Sequence, residues 1–304
     1  MGSRDQDTDE FPTMPEPDTR PAAGSSSLVT VELAALTDPG KMRSNNEDHY
    51  FAGRFQRSMR TLSTNMPRGA MPETYDETVY AMLVADGVGG SAAGEIASQT
   101  AIQALVDLIL ETPDWIMLLD DQLADDVLRR MERRFQRVRE KLVEKANADP
   151  SLHGMGTTMT VAGTVGHELL TAHVGDSRAY VYRKIGRLER LTRDQTMAQS
   201  LADSGAIRQE EVETSPYRNV LTSALATRGA FVQVELKRSR LEDGDQLLMC
   251  SDGLTDMVPD DVIARVLKEA RTSAQACRRL VDYALEAGGR DNVTVVLGRY
   301  RIPG

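Results

Sequence analysis

The chain has 304 residues, two-fifths of them apolar, which is material for one large core or two ordinary ones. Its 36 Lys plus Arg against 46 Asp plus Glu give a formal charge of −10, which argues against a general nucleic-acid binder, because that affinity rests on neutralising phosphates. Cys250 and Cys277 make no disulfide framework and fit a reducing compartment, and no apolar run nears the roughly 18–20 residues that span a bilayer. The expectation is a cytoplasmic, monomeric protein with neither membrane nor nucleic acid as partner.

Residues 1–27 are rich in Asp, Glu, Pro, Thr and Ser and almost without aliphatics, so they read as a disordered tail that is no signal or transit peptide. Thr8, Thr13 and Thr19 are candidate phosphorylation sites there, though an inert leader is the plainer reading. Leu28 to Ala34 reads as a strand, ended by the turn residues Asp38-Pro39-Gly40. After Arg43-Ser44-Asn45-Asn46-Glu47-Asp48 comes a short run, His49 to Ala52. Residues 54–78 lack clean periodicity and read as an inserted loop or irregular hairpin. Thr78 to Ala85 is a buried strand that stops at Asp86, followed by Gly87, Gly89, Gly90 and Gly94.

Helices are expected over 94–110 and 122–147, the second with Leu128, Met131, Phe135, Val138 and Leu142 at spacings of three and four. Its other faces carry Arg129, Arg130, Arg133, Arg134, Arg137 and Arg139. A basic docking surface is one reading of these arginines, and a solvated helix face is the plainer one. Strands at 157–162, 169–174 and 179–183 with glycine-containing turns suggest an antiparallel meander. A short helix at 196–204, a polar connection at 205–219, strands at 231–236 and 246–250, helices at 259–270 and 273–287, and a last strand at 293–297 complete the chain. Blocks of strands separated by helices favour an α+β fold with antiparallel sheets.

The corner at Asp86 recurs. Val84-Ala85-Asp86-Gly87, Val174-Gly175-Asp176-Ser177 and Cys250-Ser251-Asp252-Gly253 each put an aspartate just past an apolar strand, and Asp291-Asn292 immediately precedes the last one. With Glu47 and Asp48, six carboxylates stand at strand ends. Packed into one core they raise one another's pKa and oppose folding unless a divalent cation sits among them. Oxygen donors without a Cys pair or His-x-x-x-His suit Mg²⁺ or Mn²⁺ over zinc. Two such ions about 3.5–4 Å apart activate a bridging water and neutralise a phosphoryl oxygen. Arg43, four residues before Glu47, has the planar fork that suits two phosphate oxygens.

With these residues in view, the chain resembles the metal-dependent protein phosphatases of the PPM (PP2C) family in their bacterial form. The matching segments are the Arg43–Asp48 run, Asp86-Gly87-Val88-Gly89-Gly90 with Gly94-Glu95, and Gly154-Met155-Gly156-Thr157-Thr158. They continue with Val174-Gly175-Asp176-Ser177-Arg178, Leu191-Thr192-Arg193-Asp194, Val220-Leu221-Thr222, Cys250 to Asp256, and Gly289-Arg290-Asp291-Asn292. They run in family order from about residue 28 to 300, a single catalytic domain over 28–304.

That resemblance implies a four-layer αββα sandwich of two antiparallel sheets flanked by helices. It implies a serine/threonine protein phosphatase that hydrolyses phosphoserine and phosphothreonine by direct attack of a water or hydroxide bridging two Mg²⁺ or Mn²⁺ ions. Asp86 would bridge the ions; Glu47, the Gly87 carbonyl, Asp252 and Asp291 would complete their shells; Asp48 would hold metal-bound waters. Arg43 would bind the substrate phosphate, and Asp176 a third, looser ion. Residues 195–220 would be a mobile flap beside the site. The partners implied are phosphorylated proteins made by a Ser/Thr kinase.

Three departures stand out. Val88 occupies the place where many eukaryotic relatives carry a histidine proposed as general acid, so a third-metal water on Asp176 is the candidate proton source. Asp194-Gln195-Thr196 replaces a common Asp-His-Ser. The 54–78 insertion is long, and passive surface is its plainer reading. Other residues read blandly: His173 as structural, Cys250 as a buried apolar group. Two other functions compete with this one. An inactive pseudophosphatase that senses metal or a partner is disfavoured because no metal carboxylate is lost. A calcium-binding structural protein is disfavoured because no twelve-residue Asp-rich loop ending in Glu is present.

Overall fold

Alternation along one strand sets the layering. In β3 (Thr74–Val88), Tyr80, Met82 and Val84 lie on one face, Ala81, Leu83 and Ala85 on the other, and all six are buried. A strand covered on both faces has to lie inside a sandwich. The computed structural model, which describes residues 28–89, 91–111, 121–228 and 232–303, has that arrangement.

The chain runs β1 (Thr30–Asp38), β2 (Asp48–Arg60), β3, α1 (Ser91–Glu111), α2 (Asp121–Ala148), β4 (Gly156–Thr157), β5 (Met159–Val165), β6 (Glu168–Val174), β7 (Arg178–Tyr182) and β8 (Leu188–Arg190). It continues through α3 (Met197–Asp203), β9 (Leu225–Ala226), β10 (Glu235–Arg240), β11 (Gln246–Cys250), α4 (Asp252–Thr255), α5 (Asp260–Glu269), α6 (Ser273–Glu286) and β12 (Val293–Arg301). One sheet has the order β1-β12-β11-β7-β8; the other has the order β10-β6-β5-β3-β4-β9, with β2 paired to β3. The ladders are antiparallel.

Three apolar layers follow from the alternation. Tyr80, Met82 and Val84 meet Ala179, Val181, Leu247, Met249 and Val296 between the sheets. Ala81, Leu83 and Ala85 pack with Ala97, Ala101 and Leu105 of α1 and Phe135, Val138 and Leu142 of α2. On the far side Tyr180, Leu248, Cys250 and Val295 pack under Ile263 and Val266 of α5 and Leu280 and Val281 of α6. The expected αββα sandwich is present, and Cys250 packs as a fully buried small group.

The largest difference from the sequence reading lies at 54–78. The ladder continues unbroken from Asp48↔Asp86 to Arg60↔Thr74, so most of the stretch is a regular hairpin and only 61–73 is its connection. Beyond Ala52 the outer half of β2 has little core to face, so it lacks the period-two apolar signal that marks a strand. The strand expected at 231–236 instead starts at Glu235. The tail at 1–27 and Gly90 lie outside the described residues.

Candidate metal centre at the strand ends

The antiparallel order brings the six carboxylates to one end of the sandwich. Asp48 begins β2 directly opposite Asp86 near the end of β3. Asp252 follows β11, Asp291 lies just ahead of β12, and Asp176 sits between β6 and β7. Glu47 precedes β2 and is partly buried.

The backbone that carries them is tightly held. The Asp86 N–H donates to Thr158 Oγ1 at 3.0 Å, and its carbonyl accepts from the Thr158 N–H and Thr157 Oγ1, both at 2.8 Å. Gly87 runs so close to α1 that a Cβ there would lie 2.2 Å from the Gly94 carbonyl oxygen, and a Cβ on Gly94 would strike the Glu47 carboxylate. Neither place admits a side chain. Sequence reading found these glycines but not the two residues that tie the loops together. Asn292 accepts the Glu47 N–H at 2.8 Å and donates to the carbonyls of Pro39 and Asn45 at 2.9 and 2.8 Å. Ser251 donates to Asp48 Oδ2 at 2.6 Å and accepts the Thr294 N–H at 3.0 Å. Both stand inside the quoted motifs, and that adjacency is the one signal that marks them.

Electrostatically the end of the sandwich is unbalanced. Burial pushes the Asp86 carboxyl well above the usual carboxylate range, and Asp48, Asp252, Asp176 and Asp291 push it further. Asp252 is raised the same way, by burial first and then by Asp176, Asp256, Asp291 and Asp48. Burial lifts Asp48 to about 6 against the pull of the Ser251 hydroxyl, and burial, then Asp194, lifts Asp176 to about 7. Glu47 is raised by burial, with Arg43 acting against it. Asp48 Oδ1 and Asp252 Oδ1 are buried and accept no hydrogen bond. A buried, unpartnered carboxylate oxygen is costly unless something positive meets it. An all-oxygen donor set with such oxygens fits a hard divalent cation. Among the described residues, no three Asp, Glu, His or Cys side chains are drawn together as a finished ion cage. The carboxylates lie within range to shift one another.

Arg43 is the cation nearest this group. Its Nη2 lies 2.5 Å from Asp291 Oδ2, and its side chain is 55% exposed. Val88 is exposed and offers no proton. Gln195 binds the loop that carries Asp176: its Oε1 accepts the Gly175 N–H at 3.0 Å, and its backbone N–H donates to the Gly175 carbonyl at 2.7 Å. His173 is buried between Thr160 Oγ1 and the Gly175 carbonyl, and burial lowers it to about 4, so it supports the same loop as a neutral ring. Residues 195–220 form an excursion closed at its base by the Met197 N–H to Val220 carbonyl bond, with Arg218 paired to Asp256 at 3.2 Å.

The protein phosphatase 2C family profile matches residues 72–287. The chain belongs to the protein phosphatase 2C family. It is 35% identical over 269 residues to the serine/threonine protein phosphatase PstP of Mycobacterium tuberculosis, a match covering 88% of this chain but only 45% of PstP, so it spans about half the length of that relative. It is 32% identical over 261 residues to the serine/threonine phosphatase Stp of Listeria innocua, covering 86% of this chain and 92% of Stp. A solved structure of the PstP catalytic domain in complex with two manganese ions superposes with a TM-score of 0.69 at 33% identity, over 90% of this chain and 99% of that one. As a phosphatase 2C family member the chain thus matches a two-manganese relative along nearly its whole described length.

Proposed function

We propose that this chain is a metal-dependent serine/threonine protein phosphatase that hydrolyses phosphoserine and phosphothreonine in proteins. The observation that carries the reading is the convergence of Asp48, Asp86, Asp176, Asp252 and Asp291 at one end of the sandwich, the first four raised by burial and by neighbouring carboxylates, with two carboxylate oxygens that meet no donor. Glu47, Asp86, the Gly87 carbonyl, Asp252 and Asp291 are the groups to hold two Mg²⁺ or Mn²⁺ ions, and Asp176 a third. When bound, such ions supply an activated water and neutralise phosphoryl charge.

The chain's own residues do the rest. Arg43 turns its planar fork from Asp291 to the substrate phosphate, which suits its exposure and its reach over the carboxylates. Ser251 fixes Asp48 Oδ2, leaving Oδ1 to orient the water that attacks phosphorus. The bond from phosphorus to the serine or threonine oxygen breaks, and that oxygen takes a proton from a water held at Asp176, since Val88 has none to give. The products are inorganic phosphate and the free hydroxyl.

The substrates are phosphoproteins made by a Ser/Thr kinase, and the chain acts as a cytoplasmic monomer. In support, no helix among the described residues is long and apolar enough to cross a membrane. The pseudophosphatase reading is not favoured, because every carboxylate of the set is present. Purified chain should release phosphate from a phosphothreonine peptide with Mn²⁺ and stop on adding chelator; full turnover in chelator would sink the metal mechanism.

A further inference from the structure

The outgoing arm of the β2–β3 hairpin and its connecting loop are basic, while Glu73, Asp76 and Glu77 lie on the returning side. From Tyr50 to Pro72 the chain carries Arg54, Arg57, Arg60 and Arg68 and no acidic residue, within a protein of net charge −10. Arg57 is engaged, its Nε donating to Glu77 Oε2 at 2.8 Å. Arg54, Arg60 and Arg68 are exposed and make no ion pair among the described residues. Cross-strand partners share a face, so Arg54 lies with Tyr80, and Arg60 with Thr74, on the side turned toward β1; Asp76, opposite Ser58, is the carboxylate between them, and Asp48 and Asp86 share the face at its other end. Among the described residues β2 pairs with β3 alone, which leaves the outer edge of this hairpin open.

The chain's N-terminal segment leaves the described body on the same side of the sheet, beyond β3 near His167 and Arg240. The Tyr80 hydroxyl donates to the Val29 carbonyl at 3.3 Å, Val29 is buried, and Leu28 beside it is exposed. The 27 residues that precede Leu28 carry Asp5, Asp7, Asp9, Glu10, Glu16 and Asp18 against Arg4 and Arg20. We propose that this acidic segment, Asp5 to Glu10 foremost, docks in cis on the arginine face of the β2–β3 hairpin.

Reach is ample. Eighteen residues from Leu28 back to Glu10 span up to about 60 Å, while Arg54 to Arg60 covers about 20 Å of strand. Exposed ion pairs are individually weak, but attachment within one chain supplies an effective concentration on the order of millimolar. Leu62, Met66 and Met71, exposed in the connecting loop, offer apolar contacts to Phe11 and Met14 of the segment. The other basic surfaces fit less well. Along α2, Arg129 already pairs with Asp126, and Glu132, Glu140 and Glu144 interrupt the row. Arg240 and Arg301, near Leu28, stand among Glu242 and Asp243. Thr8 lies inside the acidic stretch, so phosphorylating it adds charge toward the arginines and tightens the contact.

The test is pulsed EPR on full-length chain spin-labelled at Ser3→Cys and Thr64→Cys; Cys250 and Cys277 are buried and stay unlabelled. A narrow short-distance population is expected, lost in 1 M salt and in Arg54→Glu/Arg60→Glu, and restored when that variant also carries Asp7→Arg/Asp9→Arg/Glu10→Arg. Phosphopeptide turnover should be unchanged in the hairpin variant, which shows that it folds. A broad distribution indifferent to charge reversal would overturn the proposal. So would a short-distance population that disappears on tenfold dilution with unlabelled chain, since the segment would then lie on a second copy.

Discussion

Two groups of buried aspartates in this molecule behave in opposite ways. Asp194 is pushed up by burial, but Arg178 and Arg190 reach it from both sides and more than offset that, leaving it below the usual range. Asp245 is likewise buried and held by Arg183 at 2.8 Å and by the N–H groups of Lys184 and Glu242. Asp86 and Asp252 are likewise raised by burial, yet the charged neighbours that act on them are other carboxylates. The fold seats arginines directly on the first group, whereas beside the second Arg43 pairs with Asp291 rather than with Asp86 or Asp252. Where a chain buries charge and leaves it uncompensated, the compensation comes from outside, and that end of the sandwich is where a ligand belongs.

The contrast breaks most sharply on substitution. Asp252→Asn should lower turnover by more than about a thousandfold, roughly 4 kcal/mol of barrier. It should leave metal-free stability intact or raised, because one of several repelling charges is gone; urea unfolding in chelator reads this out. Asp194→Asn should do the reverse in stability. It strands Arg178 and Arg190 without their counter-charge and should cost about 3–5 kcal/mol, visible as a lower unfolding midpoint. If the two variants shifted stability alike, the distinction between the groups would fail.

A smaller effect comes from pH. The folded values of Asp48, about 6, and Asp176, about 7, lie above the ordinary 3.8. A raised carboxyl stabilises the folded chain fully below its unfolded pKa and loses that contribution as pH climbs through the folded value. Metal-free protein should therefore be less stable at pH 8 than at pH 5, by on the order of a few kcal/mol. Saturating Mn²⁺ should flatten or reverse that slope. The smallest effect is expected at Asn292. Its Ala variant frees the loops bearing Glu47 and Asp291 and should weaken Mn²⁺ binding by about 10–100-fold in a calorimetric titration, with the fold retained.

The sequence carried the site well because strand-end aspartates followed by small residues are a local pattern, visible at Asp86, Asp176 and Asp252 alike. The layering was legible for the same reason, since alternation and apolar runs are local too. Residues that work by reaching across the fold were not. Asn292 ties its own loop to Pro39, Asn45 and Glu47, all more than 240 positions away, and apart from its place beside Asp291 nothing in the chain marks its amide for that task. The pairing of Arg178 and Arg190 with Asp194 was equally invisible. The hairpin at 54–78 escaped because its β2 arm is largely exposed and the buried residues of its returning arm, Glu77 and Thr78, are polar, so there is no apolar period to read.

The central claim is that the uncompensated carboxylates await a cation that both stabilises and activates the chain. Mn²⁺ titrated into chelator-stripped protein, with melting temperature and phosphothreonine-peptide hydrolysis followed in the same samples, tests it most directly. Both should rise together over one concentration range in wild type, and both should fail to rise in Asp86→Asn. Hydrolysis that proceeds at full rate before any Mn²⁺ is added would contradict the account.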